Sequence, residues 1–209
     1  MAICAGSGKS SQVNALRKVR PGQPGFAPTK AGAECTAESA KYPHPRAPDL
    51  VLWDVPGGGT DAHPAATYFS DKCLDLFDIL VLCYDGRWSE VNTQIVEEAA
   101  KARRNFIIVY TKADVHVGNL VLDSAGLMTE AAAVAQLKRT VEADVAAHLA
   151  ACGVPAHTVP LFLVDAFGIR DTSFKFDERA FLRALVTSAA ARLGKAPAEL
   201  WAAFPGASS

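Results

Sequence analysis

Four short runs of apolar residues occur along the chain. Each run is rich in β-branched or aromatic residues, is nearly continuous rather than alternating, and ends at a polar or turn-forming residue. Continuous apolar runs of this length are typical of strands that are covered on both faces of a parallel sheet. We therefore predict strands over residues 50–53, 79–84, 106–110 and 159–164.

Longer stretches between and after these runs show the period of an amphipathic helix. They are rich in Ala, Glu, Lys, Arg and Leu, and their apolar residues recur at steps of three and four. The predicted helices cover residues 89–103, 129–151 and 177–192. Strands that alternate with helices predict an α/β fold with a doubly wound sheet and helices on both of its faces.

Two segments show neither period. Residues 21–48 are dense in Pro, Gly, Ala and Lys, which predicts a long mobile loop. Residues 196–209 are weakly apolar and then rich in Gly, Ala and Ser. Since a domain takes roughly 100–200 residues, we expect one domain over residues 1–195 and a short tail over 196–209.

Composition and charge narrow the class of protein. Half of the residues are apolar, 21% are charged and the formal net charge is -1. Such a balance supports a buried core and gives no overall field that would attract nucleic acid. The five cysteines have no metal-binding spacing, and no apolar stretch is long enough to span a bilayer. We expect a cytoplasmic protein with reduced thiols.

The first chemical motif lies at residues 6–11, with the sequence GSGKSS. Gly6 and Gly8 allow backbone N–H groups to turn toward phosphate oxygens, and the helix that follows adds partial positive charge. Lys9 would bridge the β- and γ-phosphates, and Ser10 would hold Mg²⁺. An ordinary glycine-rich segment is the alternative for this string alone.

The beginning of this motif departs from the usual pattern. G-x-x-x-x-G-K-S/T places its first glycine five residues before Gly8, where the chain has Ile3. The strand that feeds the loop would have to precede residue 3. The sequence therefore predicts that the first strand of the sheet is missing and that the domain is incomplete at its N-terminus.

A second motif follows the first predicted strand. Asp54 stands at the strand's carboxyl end, and Gly57 follows three residues later. An aspartate at this place can orient a magnesium-bound water, and the glycine can present its N–H to a γ-phosphate. Taken alone, the string is also compatible with an ordinary turn after a strand.

A third motif, Thr111-Lys112-Ala113-Asp114, follows the third predicted strand. A carboxylate such as that of Asp114 can accept from both N1–H and the exocyclic amine of guanine, a donor pair that adenine does not offer. Lys112 would lie along the ring. Three motifs in this order, each at the end of a strand, favour a site for GTP or GDP with Mg²⁺ over an accidental combination.

At this point the chain resembles the immunity-related GTPases, the interferon-inducible group related to dynamin-like GTPases. The resemblance depends on SSQVNALR at 10–17, YPHP at 42–45 and LWDVPGGGT at 52–60. These match the family's G-K-S-S-x-x-N-A-L-R, Y-x-H-P and W-D-L-P-G-x-G-T, and the resemblance extends to about residue 185.

The resemblance also implies roles for individual residues. It implies a first switch at Thr36. In catalysis Thr36 would act together with Lys9 and Ser10, and at the metal it would act together with Ser10 and Asp54. The final base-contacting loop would be Asp165-Ala166, although Asp165 replaces the usual serine. The remaining nucleotide contacts implied are Gly8 and Ser11 at the phosphates, Gly57 in the second switch, and Thr111, Lys112 and Asp114 at the base.

One substitution bears on turnover. Small signalling GTPases have a glutamine after the D-x-x-G glycine to orient the attacking water, and this chain has Gly58 there. We expect slow intrinsic hydrolysis, and the resemblance implies acceleration by homodimerisation through the G domains. It also implies association with intracellular membranes, which the absence of a predicted helical domain weakens.

Two classes of function remain open at this stage. The chain is a Mg²⁺-dependent GTP hydrolase, or it is a degenerate GTPase-like scaffold with little or no turnover. Lys9, Ser10, Asp54 and Asp114 favour the hydrolase, whereas Ile3 and Gly58 favour the scaffold.

Overall fold

A computed structural model describes residues 1–29, 38–58 and 64–204. In these ranges six strands form one sheet in the order β2-β3-β1-β4-β5-β6. All neighbouring pairs are parallel except β2 with β3. The strands are Ala2–Cys4 (β1), Ala40–His44 (β2), Ala47–Asp54 (β3), Leu80–Tyr84 (β4), Phe106–Tyr110 (β5) and Leu161–Leu163 (β6).

Helices cover both faces of this sheet. In the described ranges they are Lys9–Leu16 (α1), Tyr68–Asp71 (α2), Glu90–Lys101 (α3), Ala113–Asp123 (α4), Glu130–Ala151 (α5), Ala166–Asp171 (α6), Glu178–Leu193 (α7) and Pro197–Trp201 (α8). The predicted doubly wound α/β fold is therefore confirmed. None of the described helices has the length and apolar character required to cross a membrane.

Alternation along the strands divides the buried residues into two cores. On one face Leu80, Leu82 and Ile108 pack with residues of α2, α3, α4 and α5. On the other face Ile3 and Val81 pack with residues of α1, α6, α7 and α8. Every residue of β1 and β4 is buried, which explains the continuous apolar run at β4.

The prediction that the first strand is missing is wrong. β1 lies between β3 and β4, with Ala2 opposite Trp53 and Leu80. The Val55 N–H donates to the Ile3 carbonyl at 3.1 Å. These three residues take the central position of the sheet, and Ile3, which stands where the motif has its first glycine, is buried in the strand.

The prediction of a loop over residues 21–48 is also wrong in part. Residues 40–44 form β2, an antiparallel edge strand paired with β3. Its burial alternates, and it contains Pro43 beside a register shift. Proline is tolerated at edge strands and bulges because no ladder hydrogen bond is lost there, so this strand lacks the apolar run that marks the central ones.

The ends of the long helices follow ordinary capping chemistry. Ser89 and Thr129 precede α3 and α5, and their hydroxyls accept from the backbone N–H groups of Asn92 and Ala132. Gly194 ends α7 in the left-handed conformation, at φ 62°. α8 then returns the chain to the body, where Phe204 is 1% exposed.

Candidate functional site

The candidate site lies where the strand order reverses, between β3, β1 and β4. The segment from Ala5 to Gly8 joins β1 to α1 at the carboxyl edge of the sheet. Ligands of open α/β sheets bind at such a switch point, outside the carboxyl ends of the strands. Asp54, Thr111 and Asp165 stand at the same edge, because they end or follow β3, β5 and β6.

The loop itself requires glycine at two positions. Gly6 has φ 49°, and a Cβ there would lie 1.9 Å from the backbone oxygen of Cys83. Gly8 has φ 89°, and a Cβ would lie 3.2 Å from the side chain of Thr111. The loop therefore passes directly over the ends of β4 and β5, so closely at Gly6 that no side chain fits and tightly at Gly8.

Lys9 begins α1 and folds back over this loop. Its Nζ donates to the carbonyl of Gly6 at 3.0 Å. Gly8 precedes the helix without a side-chain cap, and no acidic residue lies in the first turn. The positive end of the helix and the Lys9 ammonium thus face the same loop, an arrangement that suits a phosphate.

Ser10 and Asp54 meet across the edge of the sheet. The Ser10 hydroxyl donates to Asp54 Oδ2 at 2.5 Å, and Asp54 is 1% exposed. A hydroxyl and a carboxylate are hard oxygen ligands, which Mg²⁺ prefers together with water and substrate phosphates. The pair therefore fits the predicted magnesium. No group of three or more His, Cys, Asp or Glu side chains suited to a metal occurs in the described ranges.

Past Asp54, the segment up to Gly58 is tightly packed. A Cβ on Gly58 would lie 2.5 Å from Tyr68 Cδ2 and 2.9 Å from Val91 Cγ2. The Tyr68 hydroxyl donates to the Pro56 carbonyl at 2.5 Å. Gly58 therefore does more than omit a glutamine, because Tyr68 and Val91 already occupy the space that a side chain would need.

The base-reading motif is divided between two environments. Thr111 is buried, and its hydroxyl donates to the Ser7 carbonyl at 3.0 Å, so it supports the phosphate loop. Lys112 is exposed and forms an ion pair with Asp85 at 2.9 Å. Asp114 lies exposed in the first turn of α4.

Asp165, which stands where the resemblance implies a serine, caps α6. Its carboxylate accepts from the N–H groups of Phe167 and Gly168 at 2.8 and 2.9 Å. Burial raises the pKa of Asp165, and the nearby Asp114 raises it further, against the two backbone donors. The loop that carries Asp165 and Ala166 is held from below by Glu178, which accepts from the Asp165 N–H at 2.9 Å.

A cavity of about 190 Å³ adjoins both the phosphate loop and the last loop. Ser11 and Ala166, which are assigned to the phosphate and to the base, are among the residues that line it. The lining is largely apolar, which suits a flat ring. The full lining is Ser11, Asn14, Ala15, Val19, Pro21, Phe26, Thr29, Ala166, Phe167 and Arg170.

The segments 10–17 and 42–45, on which the resemblance depends, mostly hold neighbouring parts of the chain in place around the site. Asn14 exchanges two hydrogen bonds with the backbone of Ala27, both at 2.8 Å. Arg17 donates to the carbonyls of Gly25 and Pro43 at 2.7 and 3.1 Å. They therefore tie α1 to β2 and to the chain that precedes residue 30.

His44 completes this support. It is 2% exposed, its Nε2 lies 3.1 Å from the Leu16 carbonyl, and its ring stacks on Phe204 at 4.9 Å. The backbone N–H of Arg46 donates to Nδ1, so Nε2 carries the proton and donates to Leu16. Burial lowers the pKa of His44, which keeps the ring neutral.

The predicted phosphate, metal and base residues that the structure describes all lie at one edge of the sheet. Thr36 lies outside the described residues. Sequence reasoning missed Asp85, Tyr68 and Phe26, which contact the site from elements without a motif. Of these three residues, Asp85 could most easily have been found from the sequence, because it directly follows a predicted strand.

Fold and site together define a P-loop protein built on a single doubly wound sheet. Comparison with known proteins identifies its family. The profile described as Interferon-inducible GTPase (IIGP) matches residues 4–186, so the chain belongs to this family. The predicted resemblance is confirmed.

Several named proteins are similar over part of their length. Interferon-inducible GTPase 5 of Rattus norvegicus is 37% identical over 110 residues, which are 53% of this chain and 24% of the relative. T-cell-specific guanine nucleotide triphosphate-binding protein 2 of Mus musculus is 34% identical over 114 residues, which are 54% and 27%. The chain thus spans about a quarter of the length of these curated relatives.

Solved structures with a similar arrangement include two FeoB proteins. The mGMPPNP-bound NFeoB from S. thermophilus has 17% identity and a TM-score of 0.47, covering 79% of this chain and 54% of that one. The FeoB G-domain from Methanococcus jannaschii has 14% identity and a TM-score of 0.40, covering 90% and 94%.

Proposed function

We propose that this chain binds GTP and GDP with Mg²⁺ and hydrolyses GTP slowly by itself. The observation that carries the proposal is the 2.5 Å contact between Ser10 and the buried Asp54, directly beside the glycine loop and Lys9. A P-loop lysine, a hydroxyl and a carboxylate in this arrangement are the parts that phosphoryl transfer requires. The names of the relatives agree with a guanine nucleotide as ligand.

Each residue has a distinct task in this proposal. N–H groups of the loop at 6–10 and the Lys9 ammonium would stabilise charge on the phosphates. Ser10 and Asp54 would hold Mg²⁺, which neutralises charge on the transferred phosphoryl group. Asp114 would accept from the guanine edge, with Lys112 along one face of the ring.

Slow turnover follows from the packing at Gly58. Tyr68 and Val91 leave no room for a water-orienting side chain at this position. A group that accelerates hydrolysis must then come from elsewhere, and a second copy of the chain, docked through the G domains, would supply it. The turnover rate per molecule should therefore rise with protein concentration.

The same packing favours the second candidate, a nucleotide-binding scaffold with little or no turnover. Titration of the chain with fluorescent GTP and GDP analogues, and with an adenine analogue as control, tests binding. Single-turnover hydrolysis at increasing protein concentration then separates the two candidates. A rate that rises with concentration supports the enzyme, whereas absent turnover at every concentration supports the scaffold. Failure of both guanine nucleotides to bind would reject both candidates.

A further inference from the structure

A buried tyrosine fixes the segment that follows β3. Tyr68 is 1% exposed, and its hydroxyl donates to the Pro56 carbonyl at 2.5 Å. Pro56 directly precedes Gly57, whose N–H is assigned to the terminal phosphate. One buried hydrogen bond thus connects α2 with the residue next to the predicted phosphate contact.

The Tyr68 ring also supports the far end of this segment. Gly58 lies so close to the ring that a Cβ would approach Cδ2 to 2.5 Å and Cε2 to 2.8 Å. At the near end, Asp54 accepts from Ser10. The segment 54–58 is therefore anchored at alternate residues, once by the phosphate-binding helix and twice by Tyr68.

Val91 makes this support rigid. It is 2% exposed in the first turn of α3, and its Cγ2 would lie 2.9 Å from a Cβ on Gly58. α3 is capped by Ser89, whose hydroxyl accepts from the Asn92 N–H at 3.3 Å. Tyr68 and Val91 therefore form one platform beneath Gly58, built from two helices on the same face of the sheet.

The two kinds of nucleotide depend differently on this platform. The loop at 6–10 serves the phosphates that GTP and GDP share, whereas Gly57 is assigned to the terminal phosphate that only GTP has. Loosening residues 56–58, while Asp54 stays held by Ser10, should therefore weaken triphosphate binding and leave diphosphate binding unchanged.

We propose that Tyr68 is a positioning residue that sets the preference of this chain for the triphosphate, by holding residues 56–58 with the Gly57 N–H toward the terminal phosphate. The inference rests on the proposed guanine-nucleotide binding. It assigns to Tyr68 a part in nucleotide discrimination, in addition to its part in the core.

The test is Tyr68→Phe, which removes only the hydroxyl. We expect about 5- to 10-fold weaker binding of mant-GMPPNP, the range for loss of a buried hydrogen bond, and unchanged binding of mant-GDP. Tyr84→Phe is the matched control, because it removes another tyrosine hydroxyl, one that donates to Asp144 on α5. This control should melt at a lower temperature but keep the parent ratio of the two affinities.

A second measurement needs no nucleotide. Hydrogen exchange of the Gly57 and Gly58 amides should be faster in Tyr68→Phe than in the parent chain, and unchanged in Tyr84→Phe. Equal losses for both nucleotides, or exchange at these amides that does not change, would overturn the role of Tyr68 alone. A parent chain that binds neither nucleotide would overturn the proposed function and this inference with it.

Discussion

At the phosphate end of the site the glycine loop lies in close contact with the sheet beside one buried carboxylate, whereas at the base end the charged groups are exposed and joined by an ion pair. Asp54 is 1% exposed and Gly6 lies against the backbone of β4. Lys112 is 46% exposed and is held by Asp85. Exposed ion pairs contribute little, about 0–1 kcal/mol, while close packing tolerates almost no change. The phosphate end should therefore be rigid before any ligand arrives, and the base end should adapt.

The largest effect on stability is expected from Gly6→Ala, which tests the rigid phosphate end of the site. The added Cβ would lie 1.9 Å from the Cys83 oxygen at a φ of 49°, so the loop or β4 must move. We expect a loss of more than about 3 kcal/mol in the free energy of unfolding, measured by urea denaturation.

Gly22→Ala is the control for this change. Gly22 also has a positive φ, of 83°, but nothing lies within 4 Å of a Cβ there. Its cost should be the left-handed conformation alone, about 1–2 kcal/mol. Equal losses for the two variants would mean that close approach at Gly6 is not what fixes the loop.

Asp54→Asn tests the metal part of the rigid end with little change in shape. The amide cannot match the charge of the buried carboxylate that meets Ser10. We expect Mg²⁺-dependent affinity for GTP to fall on the order of 10- to 100-fold, as for other residues that orient a metal site. Titration with and without EDTA measures it, and Asp49→Asn, on the exposed part of β3, is the control. An unchanged Mg²⁺ dependence would contradict the assignment of Asp54.

Asp114→Ala tests the adaptable end. A hydrogen bond to a charged group is worth about 1.5–3 kcal/mol, and an exposed group lies at the lower limit, so the preference for GTP over ATP should fall about 10-fold. Mg²⁺ dependence should be unchanged, because Asp114 lies on α4 and not at the metal pair. Parallel titrations with guanine and adenine analogues measure the ratio, and an unchanged ratio would remove Asp114 from base recognition.

The smallest effect concerns pH and the support behind α1. Burial lowers the pKa of His44 below its usual value, and Arg17 and Arg46 lower it further, against the hydrogen bond to Leu16. At His44 the unfolded chain therefore binds more protons than the folded one below about pH 6.5. The contribution of His44 to stability should decrease as the pH falls from 6.5, by at most about 1.4 kcal/mol per pH unit.

Denaturation at pH 7.0 and 5.5 measures this slope. His44→Gln should reduce the slope, whatever its effect on stability at neutral pH. His157→Gln is the control because His157 is exposed in a short turn. If His44→Gln retains the parent slope, another group is responsible for the acid sensitivity.

How well each strand could be predicted from the sequence depends on its length and on its place in the sheet. The central strands were visible because burial on both faces leaves continuous apolar runs, as in β4. β1 was not predicted because three residues are too few to show a period. In addition, the motif was expected to begin with glycine at the position where Ile3 is needed in the core. β2 escaped because an edge strand with Pro43 has no such run.

At the site, motifs identified the residues assigned to the nucleotide and the metal but not the residues that hold them in place. Ser10, Asp54 and Lys112 stand in recognisable strings, whereas Tyr68 and Asp85 stand in none. Their roles depend on contacts between distant segments, such as the one between Lys112 and Asp85, 27 residues apart. Neither composition nor spacing contains that information.

The contact between Gly58 and the Tyr68 ring has a consequence for how such sequences diverge. A larger residue at 58 becomes acceptable only when Tyr68 and Val91 both leave more room, so position 58 should vary together with positions 68 and 91 among related chains. A glutamine acquired at 58 alone would clash before it could act on water. Whether position 58 can hold a side chain at all is therefore decided at a distance in the sequence, ten residues further on at Tyr68 and on α3 at Val91.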